Sequence, residues 1–110
     1  MTDPVSGQPL PHSLQETYRN EFAKGVKLFE ESLNAYETTS NDEAAKKAKF
    51  KDVMDKALTI MNQSARGFLN QSGQMEEAKL EKDYQSFIAS DNPAAQKQLH
   101  EDIRHIKGFV

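Results

Sequence analysis

SLQETYRNEFAKGVKLFEESLNAY, residues 13–36, decides how the rest of the chain is read. Leu14, Tyr18, Phe22, Val26, Phe29, Leu33 and Tyr36 recur at spacings of four and three. At about 100° per residue these positions gather on roughly a third of a helix circumference. The stretch therefore reads as a long amphipathic helix over 13–38, with one apolar seam that needs a partner. Ser13-Leu14-Gln15-Glu16 offers a capping box at its start: the serine oxygen accepts from an early backbone N–H while the glutamate reaches back. Residues 1–12 precede it with three of the four prolines, and read as a flexible leader that could dock through Leu10.

Downstream, Ser40-Asn41-Asp42-Glu43 has the form of a second capping box, which places helix 2 from there to about Gln71. Its apolar set, Phe50, Val53, Met54, Ala57, Leu58, Ile60, Met61, Ala65, Phe68 and Leu69, covers about half the circumference. A stripe that wide can touch two neighbours, so helix 2 is expected in the middle of a bundle. Charge agrees, since helix 2 is net basic and the helices on either side are net acidic. Ser72-Gly73 interrupts the pattern, and helix 3 is expected over 74–89 with Leu80, Tyr84, Phe87 and Ile88 inward. Asn92-Pro93 then ends one helix and starts another, because proline suits the first helical position and disfavours helix before it. Helix 4 is expected over 93–107 on a narrow stripe of Leu99, Ile103 and Ile106, with Val110 beyond it, and Gly108 stands where a left-handed stop is common.

These readings give an all-α antiparallel bundle in one domain over 13–110. At 1.5 Å per residue, helices 3 and 4 together match helix 2, roughly 46 Å. The expected shape is thus three long legs with the third broken at Asn92-Pro93, and a compact four-helix bundle is the alternative. No stretch has the alternation and turn chemistry of a strand.

Composition bounds the function. The chain has 14 basic and 17 acidic residues, a net charge of −3, which argues against a general nucleic-acid binder. The absence of cysteine removes thiolate and disulfide chemistry and fits a reducing, cytoplasmic setting. No run approaches the roughly 20 apolar residues of a membrane span, and the first residues lack the basic and apolar regions of a secretory signal. Without such a signal, the Asn62-Gln63-Ser64 and Asn70-Gln71-Ser72 acceptor patterns read as chance.

Two histidine patterns near the C-terminus invite chemistry. His100-Glu101 followed by His105 approaches the zinc-protease helix, but that motif needs histidines four apart, about 40° around the axis. Here they are five apart, about 140° around, and cannot share an ion on a continuous helix. His105-Ile106-Lys107-Gly108 approaches the histidine-phosphotransfer pattern of His, any residue, Leu, Lys, Gly. One residue is missing between histidine and lysine, and Gly108 is better explained as a helix stop. Carboxylates follow the pattern of wet helix faces, with no inward pair expected.

The remaining dense feature is the lysine run Lys46, Lys47, Lys49 and Lys51, which reads first as a solvated face and second as a contact for an acidic partner. Leu58, Ile60 and Leu69, on the margins of the wide stripe of helix 2, are the best candidates for a surface shared with another chain. The expectation is a non-enzymatic helical protein, without cofactor or metal, that acts by binding another protein or itself as adaptor, small chaperone-like factor or self-associating subunit. Its rivals are a small signalling or phosphotransfer-like bundle using His100 and His105, and nucleic-acid binding through Lys46–Lys51.

Overall fold

The computed structural model describes residues 12–110, apart from the His12 side chain; the leader reading for the residues before them lies outside the described part. Four helices follow one another: α1 (His12–Thr38), α2 (Ala44–Ala65), α3 (Gln71–Ala89) and α4 (Pro93–Lys107). There is no strand among the described residues. Nor is any helix of the described part long and apolar enough to cross a membrane.

The backbones pack in a ring, α1 on α2, α2 on α3, α3 on α4 and α4 on α1. Residue pairing shows that each adjacent pair is antiparallel. Along α3 and α4, Lys79 meets Asp102 while Glu76 meets His105. Along α1 and α4, Glu30 meets Lys107 while Glu37 meets His100. Because α3 and α4 turn back on each other at Ser90–Asn92, they are two members of a four-helix ring. The third leg broken at Asn92-Pro93 is corrected accordingly. The proline does start a new helix, and Asn92 caps it by accepting from the Ala95 N–H at 2.9 Å, but the chain reverses there.

The centre is filled from all four helices. Phe22, Phe29 and Leu33 of α1, Met54 and Met61 of α2, Leu80, Tyr84 and Phe87 of α3, and Leu99, Ile103 and Ile106 of α4 are essentially inaccessible. Helices α1 and α3 stand on a diagonal, and aromatic rings span it. Phe29 and Tyr84 meet edge to face at 5.6 Å, and Tyr36 and Phe87 do so at 5.2 Å. Each such pair contributes about 0.5–1.5 kcal/mol beyond its buried area. Leu14 and Ile88, expected in the seams, remain well exposed.

Helix α2 stops at Ala65, a turn and a half before the expected Gln71. Arg66, Gly67 and Phe68 form a tight turn in which the Gly67 N–H donates to the Ser64 carbonyl at 3.0 Å. A Cβ on Gly67 would sit 2.0 Å from the Tyr18 ring, so the glycine makes room for α1. Asn70 then caps α3 by accepting from the Gly73 N–H at 2.8 Å. The expected breaker Ser72-Gly73 therefore lies inside the first turn of α3. There Gly73 is buried, and a Cβ would press on Leu69 at 2.7 Å and Phe109 at 3.1 Å.

Three other terminal expectations change. Ser13 lies inside α1, its carbonyl accepting from the Thr17 hydroxyl at 3.1 Å. The Ser40–Glu43 box does not form: Ser40 accepts from the Asp42 N–H at 3.2 Å, and Glu43 takes the N-cap position without a side-chain bond. Ser40 comes one turn too early to cap α2. Gly108 keeps a right-handed conformation, φ −67°, and the chain leaves α4 through a tight turn closed by the Phe109 N–H on the Ile106 carbonyl.

Candidate functional site

The lysine run divides on folding. Lys47 and Lys51 lie over the Tyr36 ring, 4.4 and 5.4 Å from its centroid, and Lys51 also reaches Phe87. Lys47 donates to Asn41 at 2.7 Å. Beside them the buried Tyr36 hydroxyl donates to Asp91, which also accepts from Gln96 at 2.8 Å. Burial pushes the Asp91 carboxyl up, but the Tyr36 and Gln96 hydrogen bonds and the two lysines outweigh it and hold it below its ordinary value. Burial and the same aspartate push the Tyr36 hydroxyl up to about 12. The cluster ties the ends of α1 and α2 to the α3–α4 turn. Lys46 pairs with Glu43 at 3.5 Å and, like Lys49, is exposed.

The apolar candidates also separate. Leu58 and Leu69 belong to the core and offer little surface to a partner. Ile60 is half-buried and lines a shallow cavity of about 180 Å³ between α1 and α2, with Tyr18, Glu21, Gln63 and Ser64. The well-exposed large apolar side chains among the described residues are instead Leu14, Met75, Ile88 and Val110, with Met75 the most open at 67%.

The two histidines point to different helices. His100 Nε2 donates to Glu37 of α1 at 2.7 Å. His105 Nδ1 stands 3.9 Å from Glu76 of α3. Their separation around α4 sends them to opposite flanks, as the spacing of five requires. Among the described residues no group of three or more histidine, aspartate or glutamate side chains is placed to hold a metal ion.

Two buried carboxyl groups were missed, and the expectation that no carboxylates pair inward is corrected. Asp102 is fully buried between α3 and α4. Its Oδ1 accepts from Lys79 at 2.7 Å and from Gln98 at 3.1 Å, while Oδ2 has no donor. Burial and neighbouring Asp83 raise the Asp102 carboxyl to about 6, whereas the hydrogen bond with Asp102 holds Asp83 below its usual range. Lys79 bridges the pair, 3.1 Å from Asp83, and its ammonium is held in the charged form by those two hydrogen bonds.

Glu77 is the second, 8% exposed on the α2-facing side of α3. Burial, and then Glu81, raise its carboxyl to about 7. With its amide nitrogen turned toward Glu77, Asn62 donates to both carboxylate oxygens. No lysine, arginine or histidine pairs with it among the described residues. Glu77 borders a cavity of about 490 Å³ between the last turns of α2 and the first half of α3, lined by Asn62, Gln63, Ala65, Arg66, Gln74 and Glu81. Helices α2 and α3, like α1 and α4, meet only lightly, and this groove lies between them.

The sequence does carry a signal for both groups. Asp102 falls in the stripe Leu99, Ile103, Ile106, and Glu77 falls in the stripe Gly73, Leu80, Tyr84, at spacings of three and four. An acid inside an apolar stripe is a buried acid.

No family model, no curated protein and no solved structure matches the chain.

Proposed function

We propose that the protein is non-enzymatic and works by binding another protein or a second copy of itself, as an adaptor, a small chaperone-like factor or a self-associating subunit. The observation that supports this reading is the α2–α3 side of the ring. It is one of the two lightly packed sides of the ring and holds the groove of about 490 Å³. The half-exposed Ile88 follows Glu81 by seven residues, two turns along the same edge of α3. Apolar and charged side chains side by side on an open helix pair are what a partner helix uses in groove recognition.

Light scattering on the purified chain, alone and with proteins recovered from its host, tests the reading. Ile88→Glu, which adds charge to an exposed position, is expected to abolish the association while leaving the helical circular dichroism unchanged. A strict monomer with no recoverable partner counts against the whole class. Leu58→Glu is a poor probe for this purpose, because its target lies in the core and the variant would unfold the bundle.

The rival readings have less support. His100 and His105 already engage Glu37 and Glu76. Lys47 and Lys51 are spent on the faces of Tyr36 and Phe87, which leaves Lys46 and Lys49 to meet a phosphate backbone. A His100→Ala, His105→Ala double variant with altered activity in the host, or a salt-dependent mobility shift with nucleic acid, would revive them.

A further inference from the structure

We infer that the α2–α3 groove receives a cationic side chain, lysine or arginine, from a helical segment of a partner protein, with Glu77 as its anchor and Ile88, three turns farther along the same edge of α3, as an apolar contact. This inference rests on the binding role proposed above and names the partner's chemistry. Three observations carry it. Glu77 is more than nine-tenths buried, borders an open cavity and has only the neutral Asn62 amide as its hydrogen-bond donor. A buried carboxylate without a cation is costly, and a guanidinium or ammonium supplied from outside removes that cost. Second, the rest of the lining suits such a visitor. Glu81 offers a second carboxylate, and Asn62, Gln63 and Gln74 offer amide oxygens and nitrogens. Third, Glu77 and Ile88 lie on the same edge of α3, eleven residues or about 16 Å apart along the axis. A partner helix carrying a cationic residue and an apolar residue eleven positions apart spans the same distance. A small polyamine would have no use for Ile88.

The charged groups facing Glu77 are Glu81 from its own helix and Arg66 from α2, while α1 and α4 contribute nothing to the lining. Arg66 lines the same groove, is exposed and makes no ion pair with Glu77; its charge opposes the visiting cation, and the two carboxylates of Glu77 and Glu81 outnumber it. The carboxyl at about 7 makes occupation pH-dependent. A cation binds the ionised form, so affinity rises as pH passes from 6 to 8, by about tenfold for one group titrating midway.

The test uses two probes in heteronuclear NMR titrations of the full chain. One is N-acetyl-arginine methylamide. The other is an alanine-based helical peptide with arginine and leucine eleven residues apart. Shift changes are expected at Asn62, Gln63, Arg66, Gln74, Glu77 and Glu81, with the peptide also moving Ile88 and binding at least tenfold more tightly. Replacing the probe arginine by norleucine, or Glu77 by glutamine, should weaken binding at least tenfold. Should Glu77→Gln fail to fold, Glu81→Gln and the pH 6 against pH 8 comparison on the unaltered chain give the same answer. Shifts scattered elsewhere, pH-independent binding, or no saturable binding would overturn the inference, and so would spermidine binding more tightly than the peptide. Those failures leave the broader role standing if light scattering still finds an association. A monomer without partners that nevertheless binds the arginine probe in this groove would sink the broader role alone.

Discussion

Between α1 and α2 the two backbones approach over Gly25, where an added Cβ would come within 2.7 Å of Met61 Cγ and 3.0 Å of the Ala57 carbonyl oxygen. Between α3 and α4 the seam adds charge to its apolar packing, with Asp102 buried, Asp83 half-buried and Lys79 at the surface bridging them. Both pairs are antiparallel and both end in a turn of a few residues, yet one is closed by the absence of a side chain and the other carries two carboxyl groups bridged by the Lys79 ammonium. Apolar close packing is indifferent to pH and intolerant of volume. A buried carboxyl pair behaves the other way. It tolerates some change of shape but depends on its protonation state. The first hairpin is thus built as a fixed frame, and the second, together with the open α2–α3 side, is where the molecule responds to its surroundings.

The most damaging way to break this contrast removes the bridge between the two hairpins. Phe29 is wholly buried and its ring meets Tyr84 across the diagonal. Phe29→Ala should cost about 4 kcal/mol, a large share of the stability of a bundle of this size, as a lowered urea midpoint followed by circular dichroism would show. Next comes Gly25→Val. The helix gains little from valine, and two methyl groups are driven into Met61 and the α2 backbone. A loss of about 2–3 kcal/mol is expected from overpacking, and it should be the same at pH 5 and pH 8. A pH-dependent loss at Gly25 would erase the distinction between the hairpins.

The third effect lies on the α3 side. Glu77 and Asp102 have folded-state values of about 7 and about 6, above their ordinary 4.5 and 3.8. The folded protein therefore holds more protons than the unfolded chain across that interval, and the stabilisation, complete below the ordinary values, is lost as pH rises through about 6 and 7. Asp83 and Asp91 are shifted the other way, so their contribution is present above the ordinary carboxylate range and lost as pH falls below it. Stability should peak near pH 4 and fall by about 2 kcal/mol by pH 8, less than the shifts would allow if no water reached the groups. The double variant Glu77→Gln, Asp102→Asn should flatten the profile. A wild-type urea midpoint equal at pH 5 and pH 8 would show that the carboxyls are ionised at no cost.

The contrast also explains what the sequence could and could not reveal. A seam such as Tyr18, Phe22, Val26, Phe29 is an unambiguous periodic signal, and all four helices follow from signals of that kind. The ends do not, because they depend on contacts made elsewhere in the chain. Asn70 and Ser72 are comparable local candidates for a cap, and the choice falls to Asn70 because Gly67 has to clear the Tyr18 ring and Gly73 has to seat Leu69 and Phe109. The same holds for the α3–α4 reversal: Asn92-Pro93 specifies a new helix but not its direction, which is set by Lys79 meeting Asp102 and by Glu30 and Glu37 of α1 meeting Lys107 and His100. Leu58 and Leu69 could not be placed at the surface from the width of a stripe, since a helix with two neighbours buries its margins as well. Asp102 and Glu77 stand within apolar stripes, but a carboxylate on a helix is so often solvated that its position in a stripe does not by itself distinguish core from surface.

The smallest expected effect concerns the one internal helix start that lacks a side-chain cap. Asn70 and Asn92 each satisfy a backbone N–H at the start of α3 and α4, whereas Glu43 occupies the same position on α2 without doing so. Glutamate is one methylene too long to fold back onto the N–H two or three residues on, while aspartate has the right reach. Glu43→Asp keeps the charge that favours a helix N-terminus and adds the missing hydrogen bond. It gives up an exposed pairing with Lys46 that contributes little. A gain of about 0.5–1 kcal/mol is expected, visible as a rise of a few degrees in the thermal midpoint. Asn92→Ala should produce a loss of about 1 kcal/mol by the converse argument. If Glu43→Asp leaves the midpoint unchanged while Asn92→Ala lowers it, the start of α2 frays without consequence for the bundle. The frame formed by α1 and α2 is then fixed at Gly25 and the aromatic diagonal rather than at its ends.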